Sequence, residues 1–354
     1  MDSTFLLTFF SEKQPRRSHV IFAILSQKTT GSTEYWGLRY QLLDWLGLLP
    51  KMNKPDFEKV VADLLKERLL YKTEPGLYAL TEKGRRAKVA YQAQHYQLKQ
   101  PADRYLKQTA SFMPLFLLAN QIVSEYAYRN QHYYPIQVSL KERQLIKSWF
   151  RQQDKKQLID DWREGLVGFL ETLPAVDADH LAQTWIGHGL TGLNFDQLQM
   201  NPQWTDFDFY LWQLDLYTQL ISYIEENLHG QHPMAQLYQL VGPRSYLSDS
   251  IKASYEAAKA GQTLPEIAQH RKLKLGTVQE HLLTAAIWLP FAEFPYDSYL
   301  TPAVTDYLAQ HLTDADIDQW RFNMVRTSDD ITEFFLFRLY EIWQTKQEQA
   351  HEQA

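Results

Sequence analysis

Three cations fall within four positions at Arg271, Lys272 and Lys274, directly ahead of Thr277 and Gln279. Lysine and arginine at that density grip phosphates, and a glutamine amide can bond the edge of an adenine. A second cationic group, Lys83, Arg85, Arg86 and Lys88, lies near the N-terminus. Both groups have the chemistry of polyanion contact, so all nine residues are expected DNA-binding positions. Glu280 tempers this: it could accept from cytosine but repels phosphate. Over 244–287 six basic residues stand against four acidic ones, a modest excess for a duplex reader.

These residues need elements to position them. Leu264, Ile267 and Ala268 share one face of a short helix, with Pro265 in its first turn and Glu266 at its positive end. After the basic turn Thr277 is the expected cap of a second helix, whose apolar positions are Val278, Leu282 and Ala285. Thr277, Gln279, Glu280 and Leu283 are then its outward residues. Upstream, SDSIKASYEAAKAGQ supplies a leading helix stopping at Gly261, where a left-handed cap suits glycine. The arrangement predicts a helix-turn-helix whose second helix enters a major groove.

The second group follows a different pattern. HVIFAILSQ, then a helix capped by Ser32 or Thr33, then a third capped by Asn53 with Pro55 in its first turn, precede Leu70–Lys72 and Leu77–Leu80 around Glu74-Pro75-Gly76. Three helices and a hairpin are the order of a winged helix. Residues 91–242 read as helical throughout, cut by Pro101, Pro114, Pro135, Pro174, Pro202 and Pro233. The expected fold is mainly α: a winged-helix-like domain at 1–90, a helical middle domain at 91–242, a helix-turn-helix at 243–290 and acidic helices at 291–354. Gly242-Pro243 marks the later boundary, and the polar tail QTKQEQAHEQA is expected to fray.

The stretch YEAAKAGQTLPEIAQHRKLKLGTVQEHL resembles the helicase-associated helix-turn-helix at the C-terminal end of some RecQ-type helicases, and of bacterial YpbB-like proteins. Gly261, Leu264, Glu266-Ile267-Ala268, Leu273-Lys274-Leu275, Thr277-Val278 and Glu280-His281-Leu282 carry the likeness, which is firmest over 245–287. Gly276 departs from it, standing where a better capping residue is usual. The resemblance implies DNA contact and a RecQ-like helicase as partner, in DNA repair or recombination.

Composition narrows the alternatives. The 354 residues include no cysteine and carry a net charge of −6. Disulfides, thiolate metal sites and a cysteine nucleophile are excluded, and a reducing cytoplasm fits. The N-terminus lacks the basic start and small-residue cleavage site of a signal peptide, and no apolar run approaches the ~20 residues that span a bilayer. Charge is uneven: 51–90 has ten Lys/Arg against six Asp/Glu, whereas 288–354 has four against twelve. Such asymmetry suggests separate partners.

Catalytic motifs are missing. GHGLTG has the glycine spacing of a dinucleotide loop but follows a helical pattern instead of a strand. DADID at 314–318 alternates aspartates like a calcium loop, yet Gln319 and Val325 stand where glycine and glutamate are needed. There is no phosphate loop, HExxH or nucleophile elbow, so the expectation is a non-enzyme without cofactor or metal. The rival readings are a dimeric winged-helix transcriptional regulator and a protein adaptor that does not bind DNA.

Overall fold

A computed structural model describes residues 3–99, 106–241, 247–314 and 316–353. After a 3-10 helix at Ser3–Phe9, the first elements in chain order are β1 (Arg16–Arg17), α1 (Ser18–Ser26), α2 (Gly31–Arg39), α3 (Lys54–Lys66), β2 (Leu70–Glu74), β3 (Leu77–Leu80) and α4 (Glu82–Gln94). Then follow α5 (Leu106–Ala127), α6 (Leu140–Gln152), α7 (Leu158–Glu171), α8 (Ala175–Gln183), the two-residue strands β4 (Ile186–Gly187) and β5 (Leu190–Thr191), α9 (Asp206–Asn227) and α10 (Pro233–Gln239). The last are α11 (Asp249–Lys259), α12 (Leu264–Arg271), α13 (Leu275–Trp288), α14 (Pro302–His311) and α15 (Ile331–Gln353). The fold is mainly α, with small antiparallel sheets ordered β1-β3-β2 and β4-β5.

The contacts divide the chain into two compact units. One holds Met1–Ser18 and Asp44–Arg244, the other His19–Leu43 and Ser245–Ala354. The segment 1–90 is thus shared: α2 packs on α13 and α15, while α3 packs on β2. The Gly242-Pro243 boundary and Pro101 lie outside the described residues.

In the first unit the hairpin forms as its residues dictate. Gly76 takes a left-handed φ of 81° between β2 and β3, a conformation in which a side chain is strained. Asn53 caps α3, with Pro55 in the first turn. The larger part of the unit is built on α5, whose Phe116 stacks against Trp162 of α7 with centroids 5.8 Å apart. Pro114 lies inside α5 and does not end it. A proline interrupts one hydrogen bond, and the buried face of α5, with Phe112, Leu115, Phe116 and Ala119, outweighs that loss. GHGLTG, whose spacing resembled a dinucleotide loop, forms the β4–β5 hairpin; Gly189 and Gly192 both adopt positive φ.

In the second unit one apolar core joins Tyr35 and Leu38 of α2 to Val278, Leu282 and Ala285 of α13 and to Phe335, Leu339 and Ile342 of α15. Thr30 caps α2, not Ser32 or Thr33; Thr33 answers by closing a capping box. The polar tail is helical, for α15 continues to Gln353. Thr345 is buried, Gln349 donates to the Leu38 carbonyl across 2.8 Å, and Glu348 accepts from Arg39 across 2.6 Å. These bonds to α2 hold a segment whose composition alone would leave it loose. Among the described residues no helix is long and apolar enough to cross a membrane.

Candidate nucleic-acid interface

The C-terminal module has the expected corner. Thr263 and Glu266 form a reciprocal capping box at the start of α12. Gly261 ends α11 with φ of 87°, as its position in the sequence requires. Lys272 closes α12 in the left-handed region at φ 53°, and α13 begins two residues past Leu273. Ile267, Val278, Leu282 and Ala285 are all fully buried, so the register of both helices agrees with the apolar pattern.

The cap of α13 is different from the expected one. Lys274 is its N-cap, no side chain bonds the first turn, and Thr277 sits inside that turn, half-buried. Thr277 cannot cap because the helix starts earlier, at Leu275. Gly276 fits closely: a Cβ there would lie 3.0 Å from Ile331. Gly276 stands inside the first turn of α13, two residues past the Lys274 N-cap, and not at a capping position.

Gln279 corrects the sequence reading most sharply. It was expected outward and is only 3% exposed, and its Nε2 has no hydrogen-bond partner. The helix is enclosed by α11, α12, α15 and α2, so a position that is outward in an isolated helix-turn-helix is interior here. Leu283 is half-buried for the same reason. On the whole of α13 only Glu280 is well exposed. Beside it a cavity of about 580 Å³ lies between α13, the start of α2 and α15, lined by Thr30, Glu280, His281, Thr284, Phe334 and Arg338 among others.

The three cations of the turn separate into two kinds. Arg271 is directed back to α11, donating to the Ser250 carbonyl across 2.7 Å, to the Ser250 hydroxyl and to Ser254 Oγ. Ser254 accepts from Arg271, which leaves its own proton for His281 Nδ1, 2.8 Å away. Burial, and the Arg271 charge after it, push the His281 pKa down, which keeps the ring neutral and able to accept. Arg271 therefore holds α11 to the corner. Lys272 and Lys274 are exposed and make no ion pair among the described residues.

In the first unit the cations near the hairpin cluster at the start of α4, capped by Thr81. Arg85 and Arg86 both donate to Glu82, at 2.7 and 2.9 Å, and hold its carboxyl down to about 2. Lys83 is exposed and donates to the Glu67 carbonyl across 2.8 Å. Lys88 turns inward to the carbonyls of Thr8 and Phe10, at 3.0 and 3.1 Å. Burial, with Arg16 nearby, lowers its pKa. A partly buried ammonium with two carbonyl partners is a structural tie, which corrects the reading of Lys88 as a phosphate contact. The local sequence could not show this, because the two carbonyls come from residues some eighty positions away.

Asp316 caps a short helical turn at Ile317–Gln319, and Ala315 lies outside the described residues. Among the described residues no group of three or more His, Asp or Glu is arranged to hold a metal.

Residues 250–340 match the family model of a helix-turn-helix domain. A helix-turn-helix domain suggests DNA binding. No curated protein and no solved structure matches the chain.

Proposed function

We propose that this protein is a non-catalytic accessory factor that contacts DNA through the cationic turn of its C-terminal helix-turn-helix. The observation that carries this reading is the pair Lys272 and Lys274, exposed and without an ion pair among the described residues, at the start of a helix with no side-chain cap. The positive end of the helix dipole favours an anion there, and the two lysines add charge. With Gln279 interior and Glu280 facing solvent, the grip is on phosphates and carries little base information. A cytoplasmic partner of the RecQ-like helicase type, in repair or recombination, is part of the proposal and rests on the sequence resemblance alone.

Titration of duplex, forked and single-stranded oligonucleotides at several salt concentrations tests it. Lys272→Glu with Lys274→Glu should weaken duplex or fork binding and flatten the salt dependence by about two in slope. Equal isotherms for the variant and the wild type would remove the DNA reading. A second reading is an adaptor that docks protein, favoured by an α13 that is largely covered and has Glu280 as its one well-exposed residue. Its mark is helicase binding that survives this charge reversal, with no salt-sensitive DNA affinity.

A further inference from the structure

The first unit carries an unclaimed surface around α6, sequence LKERQLIKSWFRQ. Ile146 and Trp149 bury one side of this helix. Lys141, Arg143, Lys147 and Arg151 are exposed, and none is in an ion pair with another described residue. Arg143, Lys147 and Arg151 recur every four residues and so line one stripe, rising about 6 Å per step. Glu142, the only acid on the helix, is occupied: it accepts from the Ser139 backbone N–H across 2.7 Å in a capping box. Nothing on this element neutralises the cations.

Exposed aromatic rings accompany them. Tyr134 is 97% exposed and Tyr128 68%. The loop bearing Tyr134 is held firmly, since both ends of the Gln121 side-chain amide bond it, Nε2 to the Tyr134 carbonyl and Oε1 from the Ile136 N–H. Asn130 is bound to Glu125 through both its backbone and its side chain. His188, bonded to Glu125 at 2.9 Å, stacks on Tyr128 with centroids 4.3 Å apart. Tyr126 meets Phe150 edge-to-face at 5.5 Å, joining the end of α5 to α6. The ring-bearing segment is thus tied by hydrogen bonds, and the Tyr126–Phe150 contact joins it to the cationic helix.

We propose that this surface binds single-stranded DNA, with bases stacked on Tyr134 and Tyr128 and phosphates held by Arg143, Lys147 and Arg151. Flat exposed rings next to unpaired cations suit a strand whose bases are unstacked and free; a duplex hides its base faces, and an acidic peptide offers carboxylates but no faces to stack. The site lies in the unit without the helix-turn-helix and stands independently of the function proposed above.

The test is fluorescence anisotropy of the full-length protein with a labelled oligo-dT about 20 nucleotides long, longer than one stacking platform needs. Arg143→Glu, Lys147→Glu and Arg151→Glu together should lower dT affinity at least tenfold and flatten the salt slope by about two. Tyr134→Ala should lower it about fivefold or more, and Tyr134→Phe should restore it. Lys272→Glu with Lys274→Glu should leave dT binding intact even where it abolishes duplex binding, so the two sites fail separately. All substitutions are on exposed positions, and circular dichroism melts confirm the fold. Absent dT binding, dT affinity equal to wild type in the α6 triple variant or in Tyr134→Ala, equal competition by polyglutamate, or tighter binding of oligo-rU each overturns the proposal.

Discussion

The Arg39 guanidinium donates through Nε to the Asp318 carboxylate across 2.8 Å, and through Nη1 to Glu348 across 2.6 Å. Asp318 and Glu348 belong to the acidic C-terminal stretch, so part of its excess negative charge is spent internally on α2. The Arg39 and Asp318 side chains are largely buried, whereas Glu348 is exposed.

Removing a buried ionic partner leaves the other charge unpaired, at about 3–5 kcal/mol. Arg39→Ala is expected to lose about 3 kcal/mol or more of stability in the second unit, read as the urea midpoint. Hydrogen exchange should accelerate along the last turns of α15, where Gln349 and Glu348 hold α2. A variant that melts like wild type would show the triad to be inert.

Glu341 gives a pH dependence. Burial pushes its carboxyl up to about 7, against the opposing charges of Arg338, 3.0 Å away, and of Arg39. The unfolded chain releases this proton near 4.5, so between about 4.5 and 7 the folded chain binds more protons. Stability from this group is fully present below that window and declines as pH rises through it, by at most about 1.4 kcal/mol per pH unit. Denaturation midpoints should fall between pH 5 and pH 8, and Glu341→Gln should lessen the fall. If the two proteins lose the same amount, the carboxyl is ionised throughout.

Lys272 separates stability from binding. Its φ of 53° disfavours a side chain, and glycine relieves that by about 1 kcal/mol. Lys272→Gly is therefore expected to raise the melting temperature while lowering the salt slope of duplex binding by about one. A lowered melting temperature would contradict the backbone argument; an unchanged slope would remove Lys272 from the interface.

Leu282 is fully buried at the centre of the corner. Leu282→Asp places an unpaired carboxylate among α11, α12 and α15 and is expected to cost several kcal/mol, unfolding the second unit. A cooperative melt at the wild-type temperature would refute the register of α13.

Several turns and one helix start were legible because their signals are local, although the caps of α2 and α13 were misplaced. Asn53, Gly76 and Gly261 act within a few residues of themselves, and the apolar spacing of Ile267, Val278 and Leu282 names an inner face wherever the helices lie. Exposure of polar residues was less legible. Thr277 and Gln279 read as outward only while α13 is imagined with one buried face, and Lys88 as free only while Thr8 and Phe10 are out of view.

The sequence by itself determined a mainly α chain, its hairpin, its C-terminal corner and the positions of its cations. Tertiary structure decided which of those cations face solvent, that α2 joins the C-terminal unit, and that the polar tail is a held helix. The physical reason is range. Capping and periodicity are set by neighbours along the chain, whereas the fate of a charge depends on whichever carbonyl, carboxylate or apolar face the fold brings beside it.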